Sequence, residues 1–122
     1  MNQFSADNDP NPEQRRIKDT DHSVIIHFFY GKDSLDELYE LEDKMRLALE
    51  ASGAGLCDGH EIAMDDSDGF YFLYGENAET VFKTVAPILA DSTFMRGATA
   101  HLSFGPAGED IPEIEIFVET NS

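Results

Sequence analysis

Two periods alternate along the chain. Residues 23–30, Ser-Val-Ile-Ile-His-Phe-Phe-Tyr, are dense in β-branched and aromatic side chains. Such continuous apolarity predicts a central strand with little solvent on either face, ended by Gly31. From Leu35 the apolar positions recur at 38, 41, 45 and 49, which is one stripe of a helix. Ser34 followed by Glu37 has the spacing of a capping box, and Gly53 and Gly55 offer the stop. Residues 56–64 and 70–74 read as two strands of a hairpin, joined by the polar stretch Asp65-Asp66-Ser67-Asp68-Gly69.

Asn77 is placed to cap a second helix whose buried stripe is Val81, Phe82, Val85, Ile88 and Leu89. Pro87 lies within it and lacks the N–H that would bond the Lys83 carbonyl, so a kink or an early loosening is expected. In residues 97–105 Ala98, Ala100, Leu102 and Phe104 alternate with Thr99, His101 and Ser103, the pattern of a strand. Residues 106–112 turn the chain, and Glu-Ile-Glu-Ile-Phe-Val-Glu, 113–119, makes a last alternating strand. Residues 1–21 show neither period and hold two of the five prolines, so they read as a flexible polar leader before a single domain over 22–120.

The order β, α, β, β, α, β, β leads to an α+β fold of the ferredoxin-like βαββαβ kind with an additional C-terminal β-strand. Right-handed helical crossovers put both helices on one face of the sheet. The expected strand order is 2-3-1-4, with the fifth strand beside the fourth. Glu113, Glu115 and Glu119 would then charge an exposed edge against unwanted pairing.

Gly-Leu-Cys-Asp-Gly-His-Glu at 55–61, an aromatic strand ending in Tyr74-Gly75, the stretch 76–89 and His-Leu-Ser-Phe-Gly-Pro-Ala-Gly at 101–108 together carry a likeness. The chain resembles an uncharacterised family of small bacterial α+β proteins that share a G-x-x-D-G-x-E hairpin. The matching positions are Gly55, Asp58, Gly59, Glu61, Gly75, Ala78, Pro87, Gly105 and Pro106. The resemblance covers about residues 23–119 and implies the fold, with no activity attached.

Composition changes the picture mainly through charge. The chain of 122 residues has 25 acidic against 8 basic side chains, a formal net charge of −17. Asp33 to Glu50 holds seven acids and two bases, while Asp58 to Asp68 and Glu109 to Glu119 hold five acids each and no base. A surface of that sign repels phosphate backbones, so no nucleic acid is expected as a partner. It serves solubility, or it meets a basic protein partner. Cys57 is the only cysteine, which rules out an intrachain disulfide and a thiolate zinc cluster. No apolar run resembles a signal sequence or is long enough to span a bilayer, so a cytoplasmic protein without membrane contact is expected.

The densest candidate chemistry is Cys57, Asp58, His60, Glu61, Asp65, Asp66 and Asp68. A calcium loop with Gly69 at its sixth position would have Met64 first and Gly75 twelfth, and so fails at both ends. On a regular strand Cys57 and Glu61 share one face while Asp58 and His60 share the other, so three metal ligands converge only if Gly59 makes a bulge. The structural alternative is that Asp58 and Gly59 mark that bulge and Asp65–Gly69 the hairpin loop. A second constellation follows from topology. If Val24, Ile26, Phe28 and Tyr30 face the helices, His27 and His101 meet on the open sheet face. Glu61 or Tyr71 nearby would make a binding or proton-transfer site.

The same face, bearing Ile25, Phe29 and aromatics of residues 70–74, also suits self-association or a protein partner. No nucleophile elbow, phosphate loop or dinucleotide fingerprint is present, and no cofactor is expected. Cys57 has acidic neighbours that raise a thiol pKa, which makes it a poor nucleophile. The acidic positions of the first helix read as its solvated face. The expected function is a small acidic, non-enzymatic protein-binding or regulatory module. The alternative is a dimeric ligand-binding domain or cofactor-free enzyme with a pocket on the open face around His27, His101 and Glu61. Asp58 and Tyr71 are further candidate binding residues, and at most one of Asp58 and Glu61, on opposite faces of a regular strand, is expected beside the histidines.

Overall fold

A computed structural model describes residues 17, 18, 20–106 and 110–121. Most of the leader expected over residues 1–21, namely residues 1–16 and 19, lies outside the described residues. What is described of it ends in a turn, in which Asp21 N–H bonds the Lys18 carbonyl and the Asp21 carboxylate accepts from Lys18 N–H at 2.8 Å. Five strands and two helices follow: β1 (His22–Phe29), α1 (Asp36–Ser52), β2 (Gly55–Ile62), β3 (Asp68–Gly75), α2 (Ala78–Ala90), β4 (Thr99–Ser103) and β5 (Glu113–Phe117). A single 3₁₀ turn at Thr93–Met95, which the sequence pattern did not suggest, leads from α2 into β4.

The strands form one sheet of order β2-β3-β1-β4-β5, and all its pairings are antiparallel. These are the neighbours written from the element order. One core lies between the sheet and the helices. Val24, Ile26 and Phe28 of β1, Tyr71 and Leu73 of β3, and Ala100 and Leu102 of β4 meet Leu38, Leu41, Met45 and Leu49 of α1 and Val81, Val85 and Leu89 of α2. Phe28 stacks on Tyr71 at 4.8 Å between ring centroids, and Phe94 from the 3₁₀ turn meets Phe28 and Tyr30 edge-on at 5.4 and 5.0 Å. Burial of a ring of this size is worth about 1.5–3 kcal/mol, so this aromatic cluster anchors the sheet to the helical layer.

Local departures have local causes. The capping box expected at α1 does not form. Ser34 Oγ accepts from Asp36 N–H at 3.1 Å, in a turn before the helix, while Glu37 pairs with Lys32 at 3.5 Å and accepts from Thr93 Oγ1 at 3.3 Å. Leu35 stands at the N-cap without a side-chain hydrogen bond. The expected stop is present, with Gly53 in the left-handed conformation at φ 72° and its N–H on the Glu50 carbonyl. Asn77 caps α2 by accepting from Thr80 N–H at 3.0 Å. The helix runs on through Pro87, which is solvent-exposed, to Ala90. Among the described residues no helix is long and apolar enough to cross a membrane.

Candidate functional site

β1 is half-buried on one side only. Alternation turns Val24, Ile26 and Phe28 into the core and leaves Ile25, His27 and Phe29 on the opposite face. The expectation of little solvent on either side is therefore corrected, because among the described residues nothing packs over that second face. Pairing register carries the face across the sheet in rows. One row is Glu61, Phe70, His27, Thr99 and Phe117, and the next is Gly59, Phe72, Ile25, His101 and Glu115. A third is Leu56, Tyr74, Ser23, Ser103 and Glu113. Phe29, Phe70 and Phe117 are 54%, 37% and 77% exposed.

His27 lies in the middle of this face. Its ring contacts Phe70 at 4.8 Å and Phe29 at 5.1 Å, and its Nε2–H donates to Asp68 Oδ2 at 2.8 Å. His101 donates through Nε2 to Glu113 Oε1 at 2.7 Å. The two histidines sit diagonally on neighbouring strands, at a spacing of about 7–8 Å between backbones. Together with Ile25, Phe70, Thr99 and Glu115 they line an open concavity of about 330 Å³. Each ring has already committed Nε2 to its own carboxylate, so only the Nδ1 atoms remain for a shared ligand.

The other expected members divide. Glu61 is on the histidines' face but at its β2 border, two strand spacings and about 10 Å from His27, with Phe70 between them. Tyr71 is not on that face. It is fully buried against the helices, where its hydroxyl donates to the Leu38 carbonyl at 2.7 Å. Burial first and Glu42 second push that hydroxyl well above the ordinary tyrosine range. Asp58 is the exposed extra residue of a bulge, where the register shifts between Cys57 and Gly59. Gly59 takes φ 122°, a conformation that side chains resist.

That bulge reverses the faces expected for β2. Cys57 pairs with Leu73 and His60 with Tyr71, so both turn toward the helices, while Glu61 pairs with Phe70 and turns away. The three ligands do not converge, and among the described residues no group of three His, Cys, Asp or Glu is placed to hold a metal ion. Burial pushes the Cys57 thiol up to about 11, with a partly opposing hydrogen bond from the backbone at Gly59.

Sequence reasoning missed a polar pair on the helix side. His60 Nδ1 lies 3.1 Å from Glu42 Oε1, and Glu42 is only 6% exposed. Tyr39 meets the His60 ring edge-on at 5.4 Å. The acidic positions of α1 are thus not all solvated. Glu42 falls four residues after Leu38 and three before Met45, on the buried stripe, and that spacing was the available signal. His22 was missed as well, since its Nδ1 accepts from Ala78 N–H at 3.1 Å and so ties the first turn of α2 to β1. No protein-family model matches the chain, and searches found no similar curated protein and no similar solved structure.

Proposed function

We propose that the protein is a small non-enzymatic binding module of ferredoxin-like βαββαβ architecture with a fifth strand, and that it works through its open sheet face. The fold assignment is supported by the antiparallel order β2-β3-β1-β4-β5 and by a core that lies on one side of the sheet. The functional reading rests on one observation. Phe29, Phe70 and Phe117, with half-buried Ile25, Phe72 and Tyr74, form an apolar surface over which none of the described residues packs. Surfaces of this kind are interaction sites.

The rival reading, a ligand pocket or cofactor-free active site, draws on the concavity between His27 and His101. It is the weaker of the two because Glu61 and Tyr71 are not beside the histidines, and each imidazole is already held by its own carboxylate.

Phe70→Ser and Phe117→Ser substitutions separate the outcomes. The wild-type chain is expected either to increase in mass with concentration in sedimentation velocity or to capture a protein partner, and the double variant is expected to do neither while keeping its far-UV spectrum. A strict monomer whose captured proteins are the same for both chains would end the reading.

A further inference from the structure

The open face differs from the rest of the surface in the placement of its charge. No residue of the five strands is Lys or Arg, whereas Asp58, Glu61, Asp68, Glu113 and Glu115 all lie on them. The acids are not spread evenly. Four lie on the borders of the sheet, Asp58 and Glu61 on β2 and Glu113 and Glu115 beside Phe117 on β5, while Asp68 of β3 is held by His27. Ile25, Phe70, Phe72 and Tyr74 make an apolar stripe on β1 and β3, and β4 presents Thr99, His101 and Ser103. Four strand spacings separate the borders, about 19 Å. A helix with its side chains is about 10 Å across, so one helix laid over the middle would leave both acidic borders reachable by long side chains along its flanks.

A second copy of the chain suits this face poorly, because it would bring acidic borders against acidic borders on molecules of net charge −17 each. We infer that the open face binds a basic amphipathic helix of a partner protein, its apolar stripe on Ile25, Phe70, Phe72 and Tyr74 and its Lys or Arg flanks toward Asp58 and Glu61 on one side and Glu113 and Glu115 on the other. The inference rests on the open-face reading and names the partner's chemistry. The apolar contact supplies affinity and the borders supply orientation and encounter rate.

The probe is a synthetic helical peptide with a leucine stripe flanked by lysines, titrated into the full-length chain under two-dimensional amide NMR. A peptide of the same composition in scrambled order serves as control. The amides of β1, β3 and β4 are expected to shift with the ordered peptide and not with the scrambled one. The dissociation constant is expected to rise about tenfold in Glu61→Lys, Glu115→Lys protein.

Shifts confined to the acidic face of α1, or equal for both peptides, would show unspecific charge attraction and overturn the inference while leaving the open-face reading intact. Shifts of the sheet amides on raising protein concentration alone would assign the face to a second copy. Shifts produced in the free protein by Arg15→Ser, Arg16→Ser would assign it to the chain's own N-terminal residues. Either result overturns the basic partner only. If the sheet amides respond to neither peptide nor concentration, and the Phe70 and Phe117 substitutions change no association, both readings fall.

Discussion

His60 and Glu42 illustrate how much a single contact carries once water is removed. The Glu42 carboxyl group, only 6% exposed, has the His60 ring at 3.1 Å as its polar partner. His60→Ala should therefore cost about 2–4 kcal/mol in urea unfolding, because it strands the carboxyl group. Adding Glu42→Gln to it should restore at least about 1 kcal/mol, since the stranded carboxyl group goes too. Additive losses would show that the pair is uncoupled. Cys57 gives a pH signature. Its folded-state pKa is raised from 9.0 to about 11 by burial, so its contribution to stability is complete below pH 9 and is lost as pH rises toward 11. The urea midpoint should fall over that window more in the wild-type chain than in Cys57→Ala. Alkylation of the folded protein at pH 8 should be slow and should become fast on unfolding.

At the level of elements, the β2 bulge decides which chemistry faces which side. Asp58 is exposed and merely fills the extra position, so Asp58→Ala should change stability by no more than about 0.5 kcal/mol. Gly59 holds φ 122°, and Gly59→Ala should cost about 1–3 kcal/mol by thermal or urea unfolding. Deleting Asp58 removes only the extra residue. Cys57, Gly59, His60 and Glu61 would keep Leu73, Phe72, Tyr71 and Phe70 as partners and keep their faces, so amide spectra should show a local perturbation around the deletion with the β2–β3 register retained. Helix stripes and the Asn77 cap were legible because they depend on residues three or four apart. The Ser34–Glu37 box was not, because Glu37 found better partners in Lys32 and Thr93 from outside the helix.

Over the whole molecule, the net charge of −17 works against compactness, and few of the acids are neutralised by close bases. Screening should relieve that repulsion. The melting temperature should rise by several degrees as sodium chloride is raised from about 0.02 to about 0.2 M, where the screening length falls below about 10 Å. A flat or falling curve would mean that the ion pairs outweigh the repulsion. The same salt should weaken any basic partner, so stability and binding are expected to respond in opposite directions.

The candidate site was partly legible on this scale. Alternation placed His27 and His101 on one face, and the element order made their strands neighbours. Glu61 joined that face only through the bulge, and Tyr71 left it because its partners Ile26 and His60 both face the helices. The sequence by itself determined the elements, their order and the apolar side of each, since these depend on periods of two and 3.6 that local geometry imposes. Only the tertiary structure decided the parity of β2 beyond Asp58, the burial of Glu42 against His60 and the pairing of each open-face histidine with its own carboxylate. Each of these turns on which residues distant in the chain come into contact, and one inserted residue is enough to exchange a strand's faces.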